Sequence, residues 1–134
     1  MKIGTLSVLT FLILATLAWT YSRQHKTALL KQREARYQAT LSTYVNDFKP
    51  GLTRAQVDDL LRASNLTAEE AQLDSPSWDK FIKIGQEHSP RLSCSREDID
   101  VRLHFTSPTA AEAPASPTDQ LLQVTRYNWS RDCL

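Results

Sequence analysis

Residues Ile3 to Ser22 form a run of twenty positions without a charged side chain, preceded by Lys2. A helix rises about 1.5 Å per residue, so such a run spans roughly 30 Å, the depth of a bilayer's hydrocarbon core. Leu12 lies in its middle, and Trp19 and Tyr21 sit near one end. Amphipathic rings favour that position at a membrane–water interface. The expectation is a transmembrane signal anchor over residues 1–22. A cleaved export signal is the second reading, although Thr16 ahead of Ala18 fits the small-residue cleavage rule poorly. A buried core helix is the third, and the chain has only 134 residues with which to surround one. No cysteine lies near the end of the run, so a lipoprotein signal is not expected.

Two signals disagree on orientation. Arg23, Lys26, Lys31, Arg33 and Arg36 follow the run, against Lys2 before it, and this excess favours a cytoplasmic C-terminal part. Cys94 and Cys133 point the other way. A cysteine pair in a small exported domain reads as a disulfide, with two free thiols as the alternative. Closing a loop of about 40 residues stabilises by roughly 3–4 kcal/mol in the chain-entropy model. It would also tie down the C-terminus. Giving the cysteines more weight, the expected location is the inner membrane with the C-terminal domain in the periplasm.

The 112 residues after Ser22 suit one small domain. A net charge of +1 gives no electrostatic case for nucleic acid. Three glycines leave no room for a phosphate-binding loop, and no cofactor is expected. The partners expected are the lipid bilayer, an unidentified protein and, through a helical seam, a second copy of the chain.

From His25 to Phe48 the pattern is helical. Leu30, Tyr37 and Tyr44 recur every seven residues, Leu41 and Phe48 make a second row, and Glu34 interrupts it. This seam suits packing on the chain's own domain, or a short coiled coil. Pro50 and Gly51 end the helix. Thr53 then stands as an N-cap with Gln56 three residues on, the capping-box spacing, and Leu52 and Val57 form a hydrophobic staple. A short helix over residues 54–64 follows, with Val57, Leu60 and Leu61 opposite Arg54, Asp58 and Arg62, and Asn65 ends it. Residues 67–77 are polar and read as one more turn or a loop.

The period then changes to two. Ile82 and Ile84 alternate after Trp78, ending at Gly85. Ile99, Val101, Leu103 and Phe105 alternate with Asp100, Arg102 and His104, a half-buried strand with one wet face. Residues 106–119 are rich in Ala, Pro, Ser and Thr, a flexible connection. A third strand follows near residues 121–129, with Leu122 and Val124 on one face and Tyr127 and Trp129 on the other. The expected fold class is α+β. It comprises an N-terminal transmembrane helix continuing into a long helix, then a short helix packed on a three-stranded antiparallel sheet. The expected divisions are 1–22 anchor, 23–49 helical stalk and first domain helix, and 50–134 small α+β domain.

The segment Phe48-Lys-Pro-Gly-Leu-Thr-Arg-Ala-Gln-Val-Asp-Asp-Leu-Leu61 resembles the Gly-[Met/Leu]-Thr-x-x-x-Val-x-x-x-Leu signature of the SmpA/OmlA family. That family includes the small lipoprotein of the outer-membrane β-barrel assembly machinery, and its fold appears in β-lactamase inhibitor proteins. The resemblance implies two helices on a three-stranded antiparallel sheet and a part in envelope assembly. It covers about 14 residues, lacks the family's lipidated cysteine and has a longer first helix. Ile82-Lys-Ile-Gly-Gln-Glu, Ser93-Cys-Ser and the final Asp-Cys-Leu also resemble small membrane-anchored proteins of soil bacteria.

Catalytic candidates are few. His25, His88 and His104 are scattered, and His104 beside Asp100 and Arg102 reads as a solvated strand face. Acid–base catalysis needs a base and an orienting acid within mutual reach. Cys94 is a nucleophile only if it is a free thiolate. Glu69, Glu70 and Asp74 lack a calcium-loop pattern. The expectation is therefore a non-enzymatic, membrane-anchored envelope protein that binds a protein partner by strand addition or through Tyr127 and Trp129. A self-associating stalk, sensor or inhibitor module is the alternative, and a thiol enzyme using Cys94 the last.

Overall fold

The computed structural model describes residues 3–73, 78–106 and 114–134, with side chains described from Leu12 onward. The chain divides into two compact units, Met1–Arg36 and Tyr37–Leu134. The first consists of most of α1 (Ile3–Asp47). Its apolar side chains Leu12, Ile13, Leu14, Leu17 and Trp19 are exposed. Among the described residues no helix is long and apolar enough to cross a membrane, which corrects the transmembrane element expected for this fold. The side chains of residues 1–11, and so the Ile3 end of the expected span, lie outside the described residues.

The second unit holds the last turns of α1, then α2 (Arg54–Ala63) and four strands: β1 (Glu69–Gln72), β2 (Trp78–His88), β3 (Cys94–Phe105) and β4 (Leu121–Cys133). They form one antiparallel sheet in the order β1-β2-β3-β4. The sheet therefore has four strands, not the three expected. The missed strand is Glu-Glu-Ala-Gln, which carries no apolar alternation. It is a strand because its backbone pairs with β2, Glu69 facing Phe81 and Gln72 facing Trp78. Tertiary pairing overrides weak local preference. β2, β3 and β4 also run beyond the stretches whose alternation predicts them.

Ile99, Val101, Leu103 and Phe105 point to the helices, as period two requires. Val101, Leu103 and Phe105 meet Phe48 of α1, Val57 and Leu61 of α2, Ile82 and Leu121 in one buried cluster, and Ile99 is buried as well. Leu41 and Tyr44 pack against it, and Tyr37 is buried, so the α1 seam from Tyr37 onward is used by the chain's own core. Leu30, of the first unit, is exposed.

Two irregularities adjust the ladder. Register shifts between Lys83 and Gly85, where the Tyr37 ring lies on the strand. A Cβ on Gly85 would stand 2.5 Å from Tyr37 Cε1, so glycine is required by close approach. The second shift makes Leu122 the extra residue, since Phe105 faces Leu121 while His104 faces Gln123. Leu121, not Leu122, is therefore the core residue, and Leu122 is 50% exposed.

The turn between α1 and α2 is locally built. Gly51 has φ +91°, a region open to glycine without steric cost. Thr53 Oγ1 accepts the Gln56 N–H at 3.3 Å, and Gln56 Oε1 accepts the Thr53 N–H at 2.9 Å. At the other end Asn65 takes φ +53°, and the Leu66 N–H donates to the Leu61 carbonyl at 2.9 Å, closing the helix. Arg54 departs from the polar face expected for it. It is buried, with its guanidinium 4.1 Å over the Phe105 ring and bonded to Glu70 and the Trp78 carbonyl. Residues 107–113 of the expected flexible connection lie outside the described residues. Further on, Pro117 and Asp119 carbonyls accept the N–H groups of Ala55 and Arg54.

A candidate binding site on the inner face of the sheet

The face of β3 turned away from the helices carries Asp98, Asp100, Arg102 and His104, and it is not the wet face that alternation suggests. Asp98 and Asp100 are 4% and 3% exposed. The sheet curls into a half-barrel and encloses them. Phe81 of β2 reaches over β3 to Tyr127 and Trp129 of β4, at ring-centroid distances of 5.5 and 5.2 Å in edge-to-face geometry. Offset and edge-on contacts of this kind are the favoured ones between aromatic rings. Tyr127 and Trp129 are thus half-buried members of a cluster within the fold, and Arg131 stacks 4.0 Å from the Trp129 ring.

Beside this cluster is an open cavity of ≈ 300 Å³ lined by Thr67, Ala68, Glu69, Phe81, Lys83, Asp98, Asp100 and Arg131. All four strands contribute to it. Lys83 Nζ lies 2.7 Å from Asp98 Oδ1, Arg131 Nε 3.4 Å from Asp98 Oδ2, and Arg96 Nε 3.8 Å from Asp98 Oδ1. Arg131 also bonds Glu69 at 2.9 Å. Asp100 stands apart. Among the described residues no hydrogen bond or ion pair reaches its carboxylate.

The two aspartates respond oppositely to this setting. Burial pushes Asp98 up, but the Lys83 hydrogen bond and the charges of Lys83, Arg96 and Arg131 together outweigh it, and Asp98 is held below the ordinary carboxylate value. Burial also pushes Asp100 up, to about 6, helped by the charges of Asp98 and Glu69 and opposed by Arg131 and Lys83. Without a hydrogen bond to its charged form, desolvation wins.

A second polar group lies further along the face. Buried Asp79 takes Arg102 at 2.6 Å, the Phe105 N–H at 3.2 Å and His104 Nδ1 at 3.0 Å. His104 is therefore partnered by Asp79, not by Asp100. These contacts make the group an ion-pair and hydrogen-bond network centred on Asp79. Among the described residues no three of His, Cys, Asp and Glu are placed to hold a metal ion.

Cys94 and Cys133 face each other across β3 and β4 and are bonded, leaving no free cysteine. Of the residues singled out from the sequence, Thr53, Gln56 and Gly51 meet at the α2 turn, and Tyr127 and Trp129 meet in the aromatic cluster. Trp19, Leu12 and Ser22 lie on α1 in the other unit. Sequence reasoning missed Lys83, Asp98 and Arg131, weighed Glu69 only with Glu70 and Asp74 against a calcium-loop pattern, and placed Asp100 in solvent. One signal was available: acids are depleted in strands, and Asp98 and Asp100 both lie in one.

No protein-family model matches the chain, and no curated protein or solved structure matches it.

Proposed function

We propose that this chain is a cell-envelope protein whose folded domain is a non-enzymatic interaction module that takes a partner chain along the outer edge of β4. The observation that carries the reading is β4 itself. It has thirteen residues and is the last strand of the sheet, with β3 as its one neighbour there. Gly51 and Leu52 bond to Leu121 at its start, and Thr53 bridges to Gln120. Beyond Leu121 no strand pairs with the outer edge among the described residues. An edge of this length presents backbone donors and acceptors to an added strand. The opposite edge, β1, has four residues, and Arg54, Lys80 and Arg131 engage its two glutamates.

The disulfide supports a periplasmic location for the domain, because such bonds persist in oxidising compartments. The exposed apolar side chains of α1 support attachment to a membrane. The likeness of residues 48–61 to the SmpA/OmlA signature supports a part in envelope assembly. A self-associating stalk has less support, since Tyr37 and Phe48 of its seam are buried in the chain's own core. A thiol enzyme has less still, because Cys94 is bonded.

The test is site-specific photo-crosslinking in envelope preparations, with the crosslinker at exposed Leu122 or Asn128 of β4, and at exposed Arg62 of α2 as control. Adducts to a second protein from the β4 positions alone are expected, together with slowed amide exchange along β4. Recovery of barrel-assembly components supports the envelope-assembly reading. Adducts of two copies of the chain support self-association instead. Equal adducts from Arg62 overturn the assignment to β4.

A further inference from the structure

We infer that the cavity on the inner face of the sheet is a receptor for an organic cation, an ammonium or guanidinium group, with Asp100 as its counter-ion. The argument is one of charge matching around an open cavity. Every other charged group lining the cavity already has an opposite partner there: Lys83 and Arg131 on Asp98, and Glu69 on Arg131. Asp100 is 3% exposed, lines the same cavity and has no such partner among the described residues. The charges of Lys83 and Arg131 act on Asp100 without a direct contact, and a buried carboxylate is costly unless a donor reaches it. A cationic group entering the cavity supplies a charge-assisted hydrogen bond and removes that cost.

The surroundings select among ligands. An anion would meet Asp98, Asp100 and Glu69, while the two lining cations, Lys83 and Arg131, are already engaged by Asp98 and Glu69. A multidentate metal ion finds no set of three ligating side chains among the described residues. An organic cation needs one carboxylate and a surface for its alkyl chain, and Phe81 provides that wall. A cavity of ≈ 300 Å³ is at the small end of ligand sites and suits a short alkylamine or a single basic side chain. The charged groups that face Asp100 come from every strand: Glu69 of β1, Lys83 of β2, Asp98 of β3 and Arg131 of β4. The inference is independent of the β4 edge, and either assignment can fail alone.

The test follows the Asp100 carboxyl carbon by NMR through a pH titration of the full chain in detergent. The probes are n-butylammonium, n-butylguanidinium and neutral n-butanol. Either cation is expected to lower the Asp100 titration midpoint saturably, while n-butanol leaves it in place. Asp100→Asn is expected to weaken cation binding, read from Phe81 and Trp129 ring protons, by about tenfold or more. Should that variant fail to fold, the wild-type midpoint decides alone. A blocked Gly-Lys-Gly peptide binding more tightly than n-butylammonium assigns the cavity to a polypeptide side chain, and the reverse order assigns it to a small amine. Neither cation moving the midpoint beyond n-butanol overturns the inference, as does undiminished binding by a folded Asp100→Asn variant.

Discussion

Arg131 and Glu69 are 62 residues apart and sit on the two outermost strands, yet Nη2 of the first lies 2.9 Å from Oε2 of the second. Two strands separate them in the sheet order. Their contact is possible because the sheet curls, and it closes one side of the face that holds Asp98 and Asp100.

The two ends of this pair are not energetically equal. Arg131 also serves Asp98, whose side chain is 6% exposed, whereas the Glu69 side chain is 58% exposed. Arg131→Ala takes a cation from a buried carboxylate and is expected to cost about 2–3 kcal/mol. Glu69→Ala removes a largely solvated partner and is expected to cost less than about 1 kcal/mol. Urea unfolding of both variants checks this, and a larger loss from Glu69→Ala would contradict it.

Asp100 is expected to make the domain less stable as pH rises. Its folded pKa of about 6 lies above the ordinary unfolded value of about 3.9, so the folded state holds the proton more tightly. That contribution is favourable below the unfolded value. It is lost as pH climbs from about 4 to 6, leaving a charged, buried group that costs roughly 2–3 kcal/mol at neutral pH. Asp98 acts in the opposite sense: its stabilisation is present above the unfolded value and is lost as pH falls through its lowered one. Asp100→Asn should therefore raise the melting temperature near pH 8 and change it little near pH 4. Equal effects at both values would remove the assignment.

Gly85→Ala places a methyl against the Tyr37 ring, which has the ring atoms Cε1 and Cζ and the hydroxyl within 2.8 Å of the new Cβ position. Overpacking of this kind costs about 1–3 kcal/mol. Tyr37→Ala creates space at the same point, so the double variant should lose less than the sum of the two single losses. Additive losses would show that the ring and the glycine do not oppose one another.

Breaking the Cys94–Cys133 bond frees a loop whose ends are 39 residues apart. Reduction is expected to lower stability by about 3–4 kcal/mol, and Cys94→Ser with Cys133→Ser should reproduce it. In cells quenched with acid, a thiol-reactive mass tag should add nothing before reduction and two tags after it. Two tags without reduction would remove both the bond and the proposed periplasmic location.

How much of this was legible depended on range. The α2 turn was, because Gly51, Thr53 and Gln56 interact within five residues, and capping chemistry needs nothing from elsewhere in the chain. The apolar row of Ile99, Val101, Leu103 and Phe105 was also, since a pleated strand repeats every two residues. The cysteine pair could be read as a bond, with free thiols as the open alternative, until the register put the two residues opposite each other.

Tertiary structure decided the rest. Glu69–Gln72 has no strand pattern of its own and is recruited by the β2 backbone. Arg54 occupies a polar position on α2 by spacing, but the Phe105 ring and Glu70 draw it inside. Asp98 and Asp100 alternate with core residues as a solvent face would. Alternation states only that two faces differ, not that the second meets water. Sheet curl, the Phe81 bridge to Tyr127 and Trp129, and the contact of Arg131 with Glu69 bury that face. These are long-range relationships, and a local residue pattern carries no term for them.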